Sequence, residues 1–230
     1  YLMVRVYKAD RIEKEPLGYL VMLAVWGIVS TAVAVGLETV GQYLIQPLGQ
    51  GTLIYNIILY FIVVGLSEEV SKYLLLKWRT WRNPNFNCTF DGLIYSVFVS
   101  LGFALWENIQ YVIMYGFETA IVRAFTAIPG HASFAVFMGV WYGLAKRYAF
   151  MGEEQKSRRC RRLAILIPAL FHGIYDFTAT YSGLSMVFIA FIAFMFFLAI
   201  RAVRNMSIHD KYIGTPLEEN ETDNNLFNDL

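Results

Sequence analysis

Four short strings in this chain carry ionisable side chains at spacings that could do chemistry: Glu68, Glu69 and Lys72 in EEVSK, Glu107 and Asn108 in FALWEN, His131 in PGHASF, and His172 and Asp176 in HGIYD. Residues four apart on an α-helix lie about 40° apart around the axis and one turn along it. Glu68 and Lys72 therefore share a face, as do Phe103 and Glu107, and His172 and Asp176. Glu68 and Glu69 lie about 100° apart, so one is expected to face a common centre while the other supports it or meets Lys72. A carboxylate beside an imidazole, where water is restricted, has the parts for general-base hydrolysis: the carboxylate takes a proton from water, and a nearby His or amide stabilises the oxyanion. Asp176 could fix the His172 tautomer or, if protonated, donate a hydrogen bond itself. Ser71 lies beside Lys72 rather than a turn from a His, and Cys88 and Cys160 are expected in loops, so no nucleophile of the Ser or Cys type joins the group. Two His and a carboxylate also make a common zinc set. Zinc through His131, His172 and Glu68 stays open, although the string HExxH is absent, and the expectation is that no cofactor is needed.

The elements that must position these residues are legible from composition. Of 230 residues, 57% are hydrophobic and only 16% charged, against roughly 25% charged in an ordinary soluble domain. A bilayer core of about 30 Å is crossed by about 20 apolar helical residues. Six stretches qualify: 17–37, 53–78, 90–115, 121–148, 163–180 and 184–200. The fold class is thus all-α, a polytopic membrane bundle of about six transmembrane helices. All but two of the 19 Lys and Arg lie in the N-terminal arm, the loops after the second and fourth spans, and the C-terminal arm. Basic residues in short loops stay cytoplasmic, which puts both termini in the cytoplasm and agrees with an even number of spans. The net charge of +1 gives no global signal for nucleic acid, and two cysteines, expected as reduced thiols, build no disulfide framework.

An ionisable residue at mid-bilayer costs at least about 2.5–3.5 kcal/mol on insertion scales, so it is rare unless it faces a cavity or a partner. Each station here has a bland reading of its own: Glu68 with Lys72 as a neutralising pair, His131 as a hydrogen-bonded packing residue, Asp91 as a cap at a helix start, Gly139 and Gly143 as a close helix crossing. Their co-occurrence on four successive spans points instead to a functional polar cavity. At about 1.5 Å per residue, Glu107, His131 and His172 fall roughly 12–16 Å from the outer ends of their spans, and Glu68 several Å deeper.

The expected organisation is a cytoplasmic arm (1–16), a transmembrane domain (17–204) that holds the polar stations, and an acidic, solvated cytoplasmic tail (205–230). The first span is too long, and lacks the small-residue exit, for a cleavable signal peptide, so it reads as a retained anchor. The chain opens on Tyr rather than Met, and a residue or more is expected ahead of it. The longest outer loop is expected at 38–52.

The strings EEVSKYLLLK, FDGLIYSVFVSLGFALWENIQY, PGHASF and FHGIYDF, in that order over 67–177, resemble the PrsW family of intramembrane proteases. That family is related to the CAAX-prenyl endopeptidase and bacteriocin-processing superfamily, with motifs EExxxR or EExxK, then FxxxH or FxxxE, then HxxxN or HxxxD. Glu68, Glu69 and Lys72 match the first, Phe103 to Glu107 the second, and His172 to Asp176 the third, with His131 an added feature. The resemblance implies a metal-independent, glutamate-type protease of the cell membrane. Glu68, assisted by Glu69, would activate water, with His172, His131 and Asp176 shaping the oxyanion site and Lys72, Glu107 and Asn108 in support. It also implies a membrane-anchored anti-sigma factor as substrate, cut first on its extracytoplasmic side. Glu107 stands where the prenyl proteases have His, which counts against prenyl-protein cleavage. From the residues alone, a proton- or ion-coupled transporter and a non-catalytic peptide-binding scaffold remain alternatives.

Overall fold

The structure, a computed structural model, describes residues 2–215. It is helical, and among the described residues the β-type pairing is a single isolated bridge between Cys88 and Tyr212. The helices are α1 (Leu2–Ala9), α2 (Leu17–Ile45), α3 (Leu53–Ile58), a π segment (Leu59–Leu66) continuous with α4 (Ser67–Thr80), α5 (Asp91–Tyr115), α6 (Phe117–Phe125), α7 (Ala127–Phe150), α8 (Glu154–Thr180) and α9 (Ser185–Ile208). Among the described residues, six helical stretches are long and apolar enough to cross a bilayer. A helix satisfies its backbone internally, which is why hydrocarbon selects it. Along α2, Val21, Val25, Val29 and Val33 form an exposed row at a spacing of four, an apolar stripe that suits lipid rather than water.

Helix α5 is the centre of the bundle. Every residue from Asp91 to Ala104 is buried, enclosed chiefly by α2 and α7. The crossing with α7 is close because glycines face each other: a Cβ on Gly92 would sit 2.6 Å from the backbone N of Gly143, which no side chain allows. Gly139 and Gly143 therefore act as the small-residue seam that their spacing indicates. Asp91 caps, but not the helix start: its carboxylate accepts the N–H groups of Asn87 (3.0 Å) and Cys88 (2.7 Å), closing the turn before α5.

Several elements depart from the sequence reading. Helix α2 runs on to Ile45, followed by a 3-10 turn (Gln46–Leu48), so the outer loop shrinks to the residues around Gly49 and Gly51, both with positive φ. The fourth span breaks at Thr126 (φ −120°, ψ −65°), with Pro129 just beyond, giving α6 and α7. Helix α8 starts at Glu154, so Cys160 lies inside a helix rather than a loop; both thiols are free and buried. At the other end α9 extends through Ile208, and Asp210 accepts the N–H of Phe90 at 2.9 Å. The expected tail thus begins as ordered chain, and 216–230 lie outside the described residues.

Candidate active site

The polar stations meet in one layer because of two local features. Each hydrogen bond in the π segment spans five residues rather than the four of an α-helix, which rotates everything after it and shortens its advance along the axis. It ends at Leu66, so Ser67 to Lys72 enter the bundle on a face that simple counting from residue 53 would miss. Gly65 and Gly173 then let this segment lie against α8: a Cβ on Gly65 would fall 3.1 Å from the Gly173 N, and one on Gly173 would fall 2.6 Å from the Phe61 ring. Glu69 and His172 are thereby neighbours.

Lys72 is the hub. Its ammonium donates to Glu68 Oε2 (3.1 Å), Glu69 Oε1 (2.8 Å) and His131 Nδ1 (3.1 Å), and lies 4.1 Å from the Phe103 ring centroid. The side chains of Lys72 and Glu69 are completely buried. Glu68 faces the cavity and Glu69 stands behind it, and Lys72 meets both. Lys72 is the i+4 neighbour of Glu68 and the i+3 neighbour of Glu69, and both rows flank one position on a helix. Their exposure differs accordingly: Glu68 lines the cavity described below, and the Glu69 side chain is completely buried.

His131 is fully used. Ammonium is donor-only, so Nδ1 accepts from Lys72 and Nε2–H donates to Glu107 Oε2 at 2.8 Å. Its tautomer follows from that network. His172 donates from Nδ1 to Glu69 Oε1 at 3.0 Å, while its Nε2 lies 3.8 Å from Glu68 Oε2 and 3.5 Å from Asp176 Oδ2. The ring stacks on Phe134, with centroids 5.0 Å apart. Of the named residues, Glu68, Glu69, Lys72, Glu107, His131, His172 and Asp176 come together, whereas Asn108 does not reach the cluster. Asn108 accepts at 3.0 Å from the Nε–H of Arg123.

Arg123 is the residue that the motifs passed over. It lies on α6, binds Glu107 Oε2 through Nη2 at 2.9 Å, and places its guanidinium 3.7 Å from the Tyr111 ring centroid. A chain of charge-assisted contacts thus runs from Arg123 through Glu107 and His131 to Lys72 and both glutamates. The signal lay in the charge census, because Arg123 and Lys72 are the two basic residues outside the four basic segments. Glu38 was also missed: it lies one residue past the expected end of the first span, on the helical extension of α2, and reaches the cavity wall. The cavity has a volume of about 590 Å³, and Glu68, Glu107, His131, His172 and Asp176 line it together with Arg123.

The same donors test for a metal. Glu68, Glu69, His131 and His172 each offer a ligand atom, all within 4.8 Å of one another. Two imidazoles and two carboxylates suit zinc, and Glu69 Oε2 is buried without a hydrogen-bond partner. The set fits by chemistry, though Lys72 bonds to three of these side chains.

Four helices converging acid, imidazole and ammonium on one buried cavity agree with what relatives show. The family model described as PrsW family intramembrane metalloprotease matches residues 15–200. The chain belongs to this family. A protein named Protease PrsW from Clostridioides difficile (strain 630) is 35% identical over 179 residues, covering 76% of this chain and 73% of that protein. Its namesake in Geobacillus kaustophilus (strain HTA426) is 31% identical, with 76% and 73% covered, and that in Bacillus subtilis (strain 168) is 30% identical, with 78% of each covered. No solved structure matches the chain. As a PrsW-family member it is a multi-pass membrane protease, and the matched region holds the whole polar cluster.

Proposed function

We propose that this protein hydrolyses a peptide bond in a membrane-anchored protein, with Glu68 as the general base. The observation that carries the reading is the placement of Glu68, the one carboxylate of the Lys72 pair that lines the cavity, with His172 Nε2 3.8 Å away. Water beside Glu68 gives its proton to the carboxylate and attacks the carbonyl. The tetrahedral oxyanion is met by His172, donating from Nε2 as imidazolium, with the Lys72 charge close behind. Glu68 then passes the proton to the leaving amine. Glu69 fixes the His172 ring through Nδ1, and Asp176 faces its other nitrogen. His131, with both nitrogens engaged, acts on position rather than on the oxyanion, so its role differs from the one the family resemblance implies. The substrate class that the resemblance supports is a transmembrane anti-sigma factor, cut first in a regulated sequence.

A second reading is favoured by the four-donor set. Glu68, Glu69, His131 and His172 would hold a zinc ion, which when bound supplies Lewis acidity toward a carbonyl and a lowered water pKa. Lys72 would then have to leave their lone pairs. Reconstitution with single-pass anti-sigma-factor substrates, with and without a zinc chelator, separates the two, with fragments read by mass spectrometry and metal content by elemental analysis. Cleavage that survives chelation in metal-free protein supports the glutamate reading. Loss of cleavage on chelation, restored by zinc, supports the metal reading.

A further inference from the structure

A second cavity, of about 530 Å³, lies on the side of α7 away from the catalytic cavity, between α1, α5, α7 and α9. Its size is in the range of ligand cavities, about 300–1,000 Å³. The interior is apolar, walled by Val97, Val136, Phe196, Ala199, Ile200 and Val203. Arg5, Lys8, Arg11 and Arg204 also line it, all four exposed, and among the described residues no acidic side chain does. Helix α1 is docked where it can build this wall: Val6 is buried, and Ser207 on α9 donates to the carbonyl of Ala9. Eight residues of helix carry too little periodic pattern to stand out within the cytoplasmic arm (1–16).

The basic residues at this end of the bundle belong to the segments that the charge rule assigns to the cytoplasm. The facing leaflet carries anionic lipid, and basic pockets between membrane helices on that side hold acidic head groups. We propose that this cleft binds an anionic phospholipid, one acyl chain against the apolar wall and the phosphate among Arg5, Lys8, Arg11 and Arg204. An apolar channel with four cations along it fits that molecule at both ends, whereas a zwitterionic lipid matches only the apolar part. Ala132 and Ser133, which follow His131 on α7, line the cleft, so the chain packs against the back of the helix that carries His131. The proposal does not depend on the catalytic reading, and its test reads binding alone.

The test uses the full chain in detergent, with native mass spectrometry in the presence of phosphatidylglycerol, phosphatidylcholine or excess inorganic phosphate. Wild type should retain phosphatidylglycerol in preference to phosphatidylcholine, and phosphate should not displace it. Reversing two exposed charges together, Lys8→Glu and Arg204→Glu, should lower phosphatidylglycerol retention at least about tenfold. Val203→Trp, which fills the cleft and keeps every cation, should lower it similarly. Circular dichroism melting of each variant establishes that the fold is kept. Equal retention of the two lipids by wild type would overturn the proposal and point to an acidic peptide segment as occupant. Full retention by Val203→Trp would overturn it in favour of a diffuse surface charge effect, and displacement by phosphate would reduce it to an anion site without a chain.

Discussion

Replacing Lys72 with Met keeps most of the side chain's length and removes the ammonium. In the structure that ammonium is completely buried, is the close cationic partner of Glu68 at 3.1 Å and Glu69 at 2.8 Å, and holds His131 at 3.1 Å. Removing one partner of a buried ion pair costs about 3–5 kcal/mol, because the remaining charge is left uncompensated. Here His172 still serves Glu69, while Glu68 has only the longer approach at 3.8 Å, so the loss should fall within that range rather than double it. At 1.4 kcal/mol per tenfold, this shifts the folded fraction roughly a hundred- to a few-thousand-fold. The assay is unfolding in mixed micelles titrated with sodium dodecyl sulfate, followed by far-ultraviolet circular dichroism. Adding Glu69→Gln to Lys72→Met should recover part of the loss, because one orphaned charge disappears with it. A loss below about 1 kcal/mol for Lys72→Met, the size of an exposed pair, would refute the description of Lys72 as the hub of the site.

Arg123→Met should lower kcat about 10- to 100-fold with little change in KM, since it frees Glu107 and so His131 without touching the cavity base; Arg123→Lys should restore part of it, and steady-state cleavage kinetics read the split. Gly173→Ala should cost about 1–3 kcal/mol and most of the activity, because its Cβ would meet Phe61 at 2.6 Å; Gly183→Ala, with nothing within 4 Å, is the neutral control in the same unfolding assay. Burial pushes the Glu15 carboxyl up from 4.5 to about 7. A raised folded-state value means its contribution is full below about pH 4.5 and is lost as pH climbs through about 7. Glu15→Gln should therefore flatten the fall in stability across that window, which unfolding midpoints at stepped pH would record.

Hydropathy made the six spans legible, because a bilayer demands a minimum length of apolar helix, and the residues that violate it mark the site. What escaped is what hydropathy does not encode. The π segment is as apolar as any α-helix, so its wider turns leave no compositional trace, yet it aims Glu68 and Glu69. The extension of α2 past residue 37 is helix without a membrane requirement, which hid Glu38. Arg123 escaped because it stands outside every motif, and only tertiary packing of α6 against α5 gives it Glu107. Glu69 shows the reverse case: its i+3 relation to Lys72 is present in EEVSK, and the structure joins the two at 2.8 Å.

The most direct test of the central claim compares Glu68→Gln with wild type on one reconstituted membrane-anchored substrate, scoring product by mass spectrometry and fold by unfolding midpoint. Glu68→Gln should keep the fold, with Lys72 still bound by Glu69, and lose cleavage by at least about 10²–10⁴-fold, the contribution of a general base. A folded Glu68→Gln protein that cleaves within tenfold of wild type would contradict that claim.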